Sequence, residues 1–342
     1  MKKLFISMLA VAALASCSQE DVIVADKGDL IGFNSFVENS TRATDNTYGA
    51  VALTSFYVYG TVQVTGNGVV NIYDGDVVTG TVGQKETITD ENGDQIEVDK
   101  AWSCDVKQYW IADAEYNFAA VVDVDKDSNK LPDGVTVDTT TGMPTTIAYT
   151  TANQNDLLYA EATATGQATG NGKVNFNFSH LLSKAQFTVT SNTEGGYYYS
   201  VKDIKVSNYA GGTYTIADET WTPGTPSDVE FRNVEYVTSN DKNGKTNATQ
   251  MLLVPTTNDF KVSFTVEIWN GDGEGDDEVL LGQTVYKDGD TDTAHNALPV
   301  ATDLVKGNTY NFNLNLSVGE LIQFTVTTNP TWANGSDTTL TL

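Results

Sequence analysis

The 342-residue chain carries 19 Lys and Arg against 45 Asp and Glu, a formal charge of −26. A surface this acidic repels nucleic acid and anionic membrane and favours solubility outside the cell. With two histidines and two cysteines there is no material for a Ser/His/Asp triad, a Cys/His pair or a zinc site, so the residues argue against an enzyme.

Lys2 and Lys3 precede an apolar run from Leu4 to Ala15. The run has the length of a secretory signal core and is too short to cross a bilayer as a helix. It ends in Leu14-Ala15-Ser16-Cys17, which resembles the lipobox of bacterial lipoproteins. On that resemblance residues 1–16 are a signal peptide and Cys17 carries lipid; the competing reading is an ordinary secretory peptide with a chance cysteine. Cys104 then has no disulfide partner and reads as a small buried hydrophobe.

Ile31, Phe33, Ser35 and Val37 alternate with Gly32, Asn34 and Phe36, which predicts one strand. The polar stretch from Asn39 to Thr47 follows without any secondary-structure signal. It holds Arg42, the only arginine before Arg232. An arginine in an exposed polar linker is open to a trypsin-like protease, which would cut between Arg42 and Ala43.

Beyond the linker, strand patterns dominate. Val174–Phe178, Val262–Ile268, Tyr310–Leu316 and Ile322–Thr327 alternate apolar and polar residues, as strands with one wet face do. Hairpin signals stand at Glu91-Asn92-Gly93-Asp94, Lys242-Asn243-Gly244 and Asn270-Gly271-Asp272-Gly273. A short helix is expected only around Asp156 to Glu161. The glycine-rich stretch Thr165–Gly172 reads as a boundary between two β-sandwiches, with a long hairpin loop as the alternative. Asp123, Asp125 and Asp127 place oxygens at every second position, a weak candidate for structural calcium. The run lacks the glycine and glutamate of an EF-hand loop, so solvated loop charge is the favoured reading. Tyr197-Tyr198-Tyr199 suits cross-strand packing better than a sugar platform.

Several of these segments together resemble the fimbrillin family, the subunits of protease-assembled pili of Gram-negative anaerobes. They are Cys17, Ile31-Gly32-Phe33 with Ser40-Thr41-Arg42-Ala43, Tyr116-Asn117-Phe118-Ala119-Ala120, Asp156-Leu157-Leu158-Tyr159-Ala160, Val174 to Ala185, Leu252-Leu253-Val254-Pro255, Lys306-Gly307-Asn308-Thr309-Tyr310 and Ile322-Gln323-Phe324 with Trp332. The resemblance implies an all-β chain of two transthyretin-like antiparallel β-sandwich domains in tandem. It implies a lipidated propeptide at 17–42, domains at 43–168 and 169–342, and a donor tail at about 318–342. An arginine-specific surface protease would release the temporary strand (Ile31, Phe33, Ser35, Val37), and the vacated groove would take the donor strand (Ile322, Phe324, Val326) of another fimbrial subunit, head to tail. The alternative reading of Ile322 to Val326 is the last strand of its own domain. The expected function is a pilus subunit for cell adhesion, exported to the outer membrane and then the surface fimbrium. The alternative is a non-polymerising surface or tip adhesin that binds a host or bacterial glycan or protein with the same fold.

Overall fold

The structure is a computed structural model that describes residues 29–37, 55–66, 68–80, 85–89, 93–99, 102–123, 135–154, 156–167, 172–192, 197–230, 236–238, 246–257, 260–270, 279–287, 298–300, 303–317, 323–329 and 339–340. The first part of the chain forms β1 (Phe33–Val37), β2 (Ser55–Gln63), β3 (Val69–Thr79), β4 (Lys85–Thr89), β5 (Gln95–Asp99), β6 (Ser103–Cys104), β7 (Glu115–Asp123), β8 (Val135–Thr140), β9 (Met143–Thr150), β10 (Leu157–Thr165) and β11 (Val174–His180). The second part forms β12 (Ser183–Asn192), β13 (Tyr197–Tyr209), β14 (Gly211–Thr215), β15 (Thr220–Pro223), β16 (Pro226–Glu230), β17 (Tyr236–Thr238), β18 (Thr246–Leu253), β19 (Phe260–Asn270), β20 (Leu280–Tyr286), β21 (Leu298–Val300), β22 (Thr309–Ser317), β23 (Gln323–Asn329) and β24 (Thr339–Leu340). The expected all-β class holds; among the described residues the one helical element is a 3-10 turn at Thr151–Asn153.

The first seven-stranded sheet runs β1-β11-β10-β7-β2-β3-β6. Its two ends meet, because Trp102, just before β6, donates its N–H to the Phe33 carbonyl of β1 at 3.2 Å. The sheet thus curls around one apolar core that includes Phe33, Phe56, Tyr73, Phe118, Phe176 and Phe178. In β2 every residue from Phe56 to Val62 is buried. Phe56 and Val58 fill the inside of the curl, while Tyr57 and Tyr59 pack in a separate cluster on the other side, beneath the four-stranded sheet β15-β14-β9-β8.

That covering sheet joins the hairpin β8–β9 to the hairpin β14–β15 through pairing of Gly211–Thr215 with Thr146–Thr150. Beneath it, Tyr57, Val121 and Leu157 meet Ile147, Tyr214, Leu182, Leu252 and Val254 in one cluster, so both parts of the chain share a core. The remaining strands form a sandwich. A five-stranded sheet, β18-β12-β22-β23-β24, faces a six-stranded sheet built on β16-β13-β19-β20. Phe187, Phe260, Phe264, Phe312 and Leu314 lie in the core that they share.

Three expectations differ from the structure. The division at 168/169 falls inside the first sheet, since β11 pairs with β10 and sends Val174, Phe176 and Phe178 into the first core. A glycine-rich polar stretch suits a strand connection as well as a domain linker, and composition does not separate the two. The helix expected at Asp156 to Glu161 is the start of β10, whose Leu157, Leu158, Tyr159 and Ala160 are all buried. A strand covered on both faces reads as an apolar run without alternation. Finally, β1–β11 and β12–β22 are parallel pairs among otherwise antiparallel neighbours. The long intervening stretch of chain leaves room for the crossovers that parallel pairing needs.

Candidate functional site

β1 is gripped along both edges. On one side it runs parallel to β11, in register from Phe33 opposite Val174 to Val37 opposite Phe178. There the Val174 N–H donates to the Gly32 carbonyl at 2.8 Å, and Asn34 Nδ2 donates to Asn175 Oδ1 at 3.0 Å. On the other side, the segment 102–110 runs antiparallel to it. The Ile31 N–H donates to the Gln108 carbonyl at 2.9 Å and the Trp110 N–H to the Asp29 carbonyl at 3.0 Å.

Phe33 is fully buried and Ile31 nearly so. The Phe33 ring stacks on Phe176 at 6.0 Å. It meets Phe56, Tyr73 and Phe118 edge-on at 6.2, 5.5 and 6.3 Å. Burying each large apolar side chain contributes about 1.5–3 kcal/mol, and each well-placed ring pair about 0.5–1.5 kcal/mol more. The alternation Ile31, Phe33 explains this seating: both side chains point into the curl, while Asn34 points out to the asparagine of β11.

The interior around this socket is mostly apolar. Burial pushes the Tyr73 phenol well above its ordinary pKa, with Cys104, Asp76 and Tyr116 adding to the effect. Burial likewise pushes the Cys104 thiol up, only partly offset by a hydrogen bond from the Val106 backbone. A thiol held protonated in an apolar core is a packing group and not a nucleophile. Where β10 and β11 meet, His180 Nδ1 lies 2.7 Å from Asp156 Oδ2, both side chains buried, which fixes the end of β11. The arrangement can do one thing well: hold a single extended segment. Taking β1 away frees the backbone groups of β11 and of 102–110 together and opens the socket between them.

Of the residues singled out in the sequence, Ile31 and Phe33 fill this socket, and Ser35 and Val37 continue β1 opposite Phe176 and Phe178. Cys17, Arg42, Ala43, Asp125, Asp127 and Ile322 lie outside the described residues. Asp123 ends β7 opposite Leu157. Phe324 and Val326 lie on β23, opposite Leu314 and Phe312 of β22 in the chain's own sheet, and Val326 is buried in the second core. No group of three metal-ligating side chains occurs among the described residues. Sequence reasoning missed the segment 102–110 as one wall of the seam. Trp102, Tyr109 and Trp110 gave a signal there, but without strand periodicity it does not point to a sheet edge.

Solved structures of similar architecture include a candidate cell adhesion protein from Bacteroides uniformis, 15% identical, with 89% of this chain and 99% of that one covered and a TM-score of 0.46. A second candidate cell adhesion protein, from Bacteroides ovatus, is 16% identical over 88% of this chain and 96% of its own, with a TM-score of 0.45. The fimbrial anchor protein Mfa2 from Porphyromonas gingivalis is 11% identical over 88% and 98%, with a TM-score of 0.37. No curated protein sequence matches the chain. The model of the fimbrillin-like family matches residues 41–332, and the chain therefore belongs to that family.

Proposed function

We propose that this chain is a fimbrial subunit that polymerises by donor-strand exchange after removal of its N-terminal segment through Arg42. The observation that carries the reading is the seating of β1: it closes the first sheet, and its connection to β2 runs through residues 38–54, where Arg42 lies. A cut between Arg42 and Ala43 leaves β1 held by non-covalent contacts alone, so it can leave with a lipid anchor at Cys17. Parallel pairing is slightly weaker per residue than antiparallel, which suits a replaceable occupant. The vacated edges and socket then take the C-terminal segment of a neighbouring subunit, about residues 318–342, with Phe324 in the place of Phe33. Donation requires β23 to leave β22, giving up seven register pairs and the burial of Val326.

That seating of β23 favours a second reading, a tip or anchor adhesin that keeps its own C-terminal strand and binds a host or bacterial surface ligand. Mass spectrometry of surface-extracted protein, with an Arg42→Ala variant alongside, separates the outcomes. Polymerisation predicts wild-type assemblies whose chains begin at Ala43, and an Arg42→Ala chain that stays monomeric with its leader attached. Ladders of assemblies from Arg42→Ala, or surface protein still joined to residues 18–42 with no assemblies, would sink the proposal.

A further inference from the structure

The six-stranded sheet ends in an unusual edge. On and beside β20, Val279 is 55% exposed, Leu280 42%, Leu281 53% and Val285 42%. From Val279 to Tyr286 this edge has neither proline nor charge. At the opposite edge of the same sheet, β16 carries Pro226, Asp228 and Glu230, the usual means by which an edge refuses another strand. The apolar residues are also arranged symmetrically: Leu281 and Val285 stand two residues either side of Gln283, and Leu280 and Tyr286 three.

We propose that β20 is a lateral docking edge for β20 of a second copy of this chain, paired antiparallel about Gln283. In that register Leu281 of one copy meets Val285 of the other, and Leu280 meets Tyr286, twice each by the two-fold symmetry. The charge of the molecule selects this edge. Copies carrying −26 repel each other over most of their surface, and an uncharged edge lets them approach without setting like charges face to face. Lys287, which follows Tyr286, meets Val279 of the other copy in this register, so no two like charges are set opposite each other between residues 279 and 287. Two strands of this length bury well under the roughly 1,200 Å² of a standard stable interface, so a single pair is weak. Repeated along a filament, the same contact gains avidity and bundles filaments side by side. The pairing itself does not depend on strand exchange at β1, whereas bundling rests on the polymerisation proposed above.

The test uses the full chain with Cys17→Ser, which leaves buried Cys104 as the native thiol, and adds Gln283→Cys or Val285→Cys. In the proposed pair the two Gln283→Cys thiols are directly opposite, while the two Val285→Cys thiols are four residues apart, roughly 14 Å and beyond disulfide reach. Mild oxidation should give disulfide dimers at least about tenfold faster for Gln283→Cys, and adding Leu281→Lys should remove that advantage. Equal rates for the two cysteine variants, or a Gln283→Cys rate indifferent to Leu281→Lys, overturn the proposal. Because the chain is uncleaved throughout, neither result bears on the strand-exchange reading.

Discussion

Phe33→Ala is the sharpest probe of the seam. The ring is fully buried and in contact with four aromatic neighbours, so truncation removes its burial and leaves a cavity that the rigid wall of Phe56, Tyr73, Phe118 and Phe176 cannot close. Phe→Ala changes in such sites cost about 3–5 kcal/mol. With a urea dependence of about 1–3 kcal/mol per molar, the unfolding midpoint of the core around Phe33 should fall by at least about 1 M in the uncleaved chain. Trp102 and Trp110, both buried in that core, report the transition by their emission. The second half of the experiment carries the functional weight. Once the leader is cut away and a donor seated, Phe33 is no longer part of the molecule, so assemblies made from wild-type and Phe33→Ala chains should unfold identically. A midpoint unchanged in the uncleaved chain would refute the packing argument. A shift of the same size in trimmed assemblies would refute the claim that β1 leaves.

Two further outcomes are expected. Deleting residues 321–342 removes β23 and the burial of Val326, which should weaken the sandwich built on β22 and β19 by about 2–4 kcal/mol yet leave a folded monomer that forms no polymers, read by circular dichroism and size-exclusion chromatography; an unfolded product would make the tail an obligatory part of its own core. Burial opposes the charge of Glu267, but hydrogen bonds from Lys202 Nζ at 2.6 Å, Gln283 Nε2 at 2.7 Å and Trp269 Nε1 at 3.2 Å win and hold its carboxyl below the usual range. Its stabilisation is therefore present above the ordinary glutamate pKa of about 4.3 and is lost as pH falls through the lower folded value. Glu267→Gln should be less stable than wild type at pH 7, and the gap should narrow on acidification below about pH 4; a constant gap across pH would show that the side chain acts by shape alone.

What the sequence disclosed follows from how each strand is covered. β11 has one face on a core and the other exposed or half-covered, and β19 and β22 keep polar residues opposite their core face even where Thr265, Glu267 and Thr309 are buried, so their alternation was plain; Gly93, from the hairpin signal between β4 and β5 in sequence, stands at φ +87°. β2 and β10 lost that signature because the covering sheet buries their outer faces. The β1 strand was legible from Ile31 and Phe33, yet its partners were not. Parallel pairing with β11 joins residues 141 positions apart at Asn34 and Asn175, and no local pattern encodes a contact at that range. The wall at 102–110 was hidden for a related reason. It pairs through single bridges at Trp102 and Tyr109 and never forms a strand long enough to show a period.

These placements also bear on why such a chain would carry its own occupant for the groove. While residues 38–54 tether β1 to β2, the strand competes for the seam at the effective concentration of a short linker, of millimolar order. A donor segment on another copy, at far lower concentration, gains a similar ladder and a similar aromatic in the socket, and so has no thermodynamic case for entry. Its own seat beside β22 adds to the cost. Cutting the tether alters no contact in the groove. It alters the standing of the competitor, because a freed leader dilutes away and the seam's unpaired backbone groups and apolar socket are left with no occupant. On the proposed reading the switch is therefore entropic and lies in the linker at Arg42, while the groove supplies affinity that is the same before and after. A chain that stays intact should resist exchange however tightly its donor segment fits.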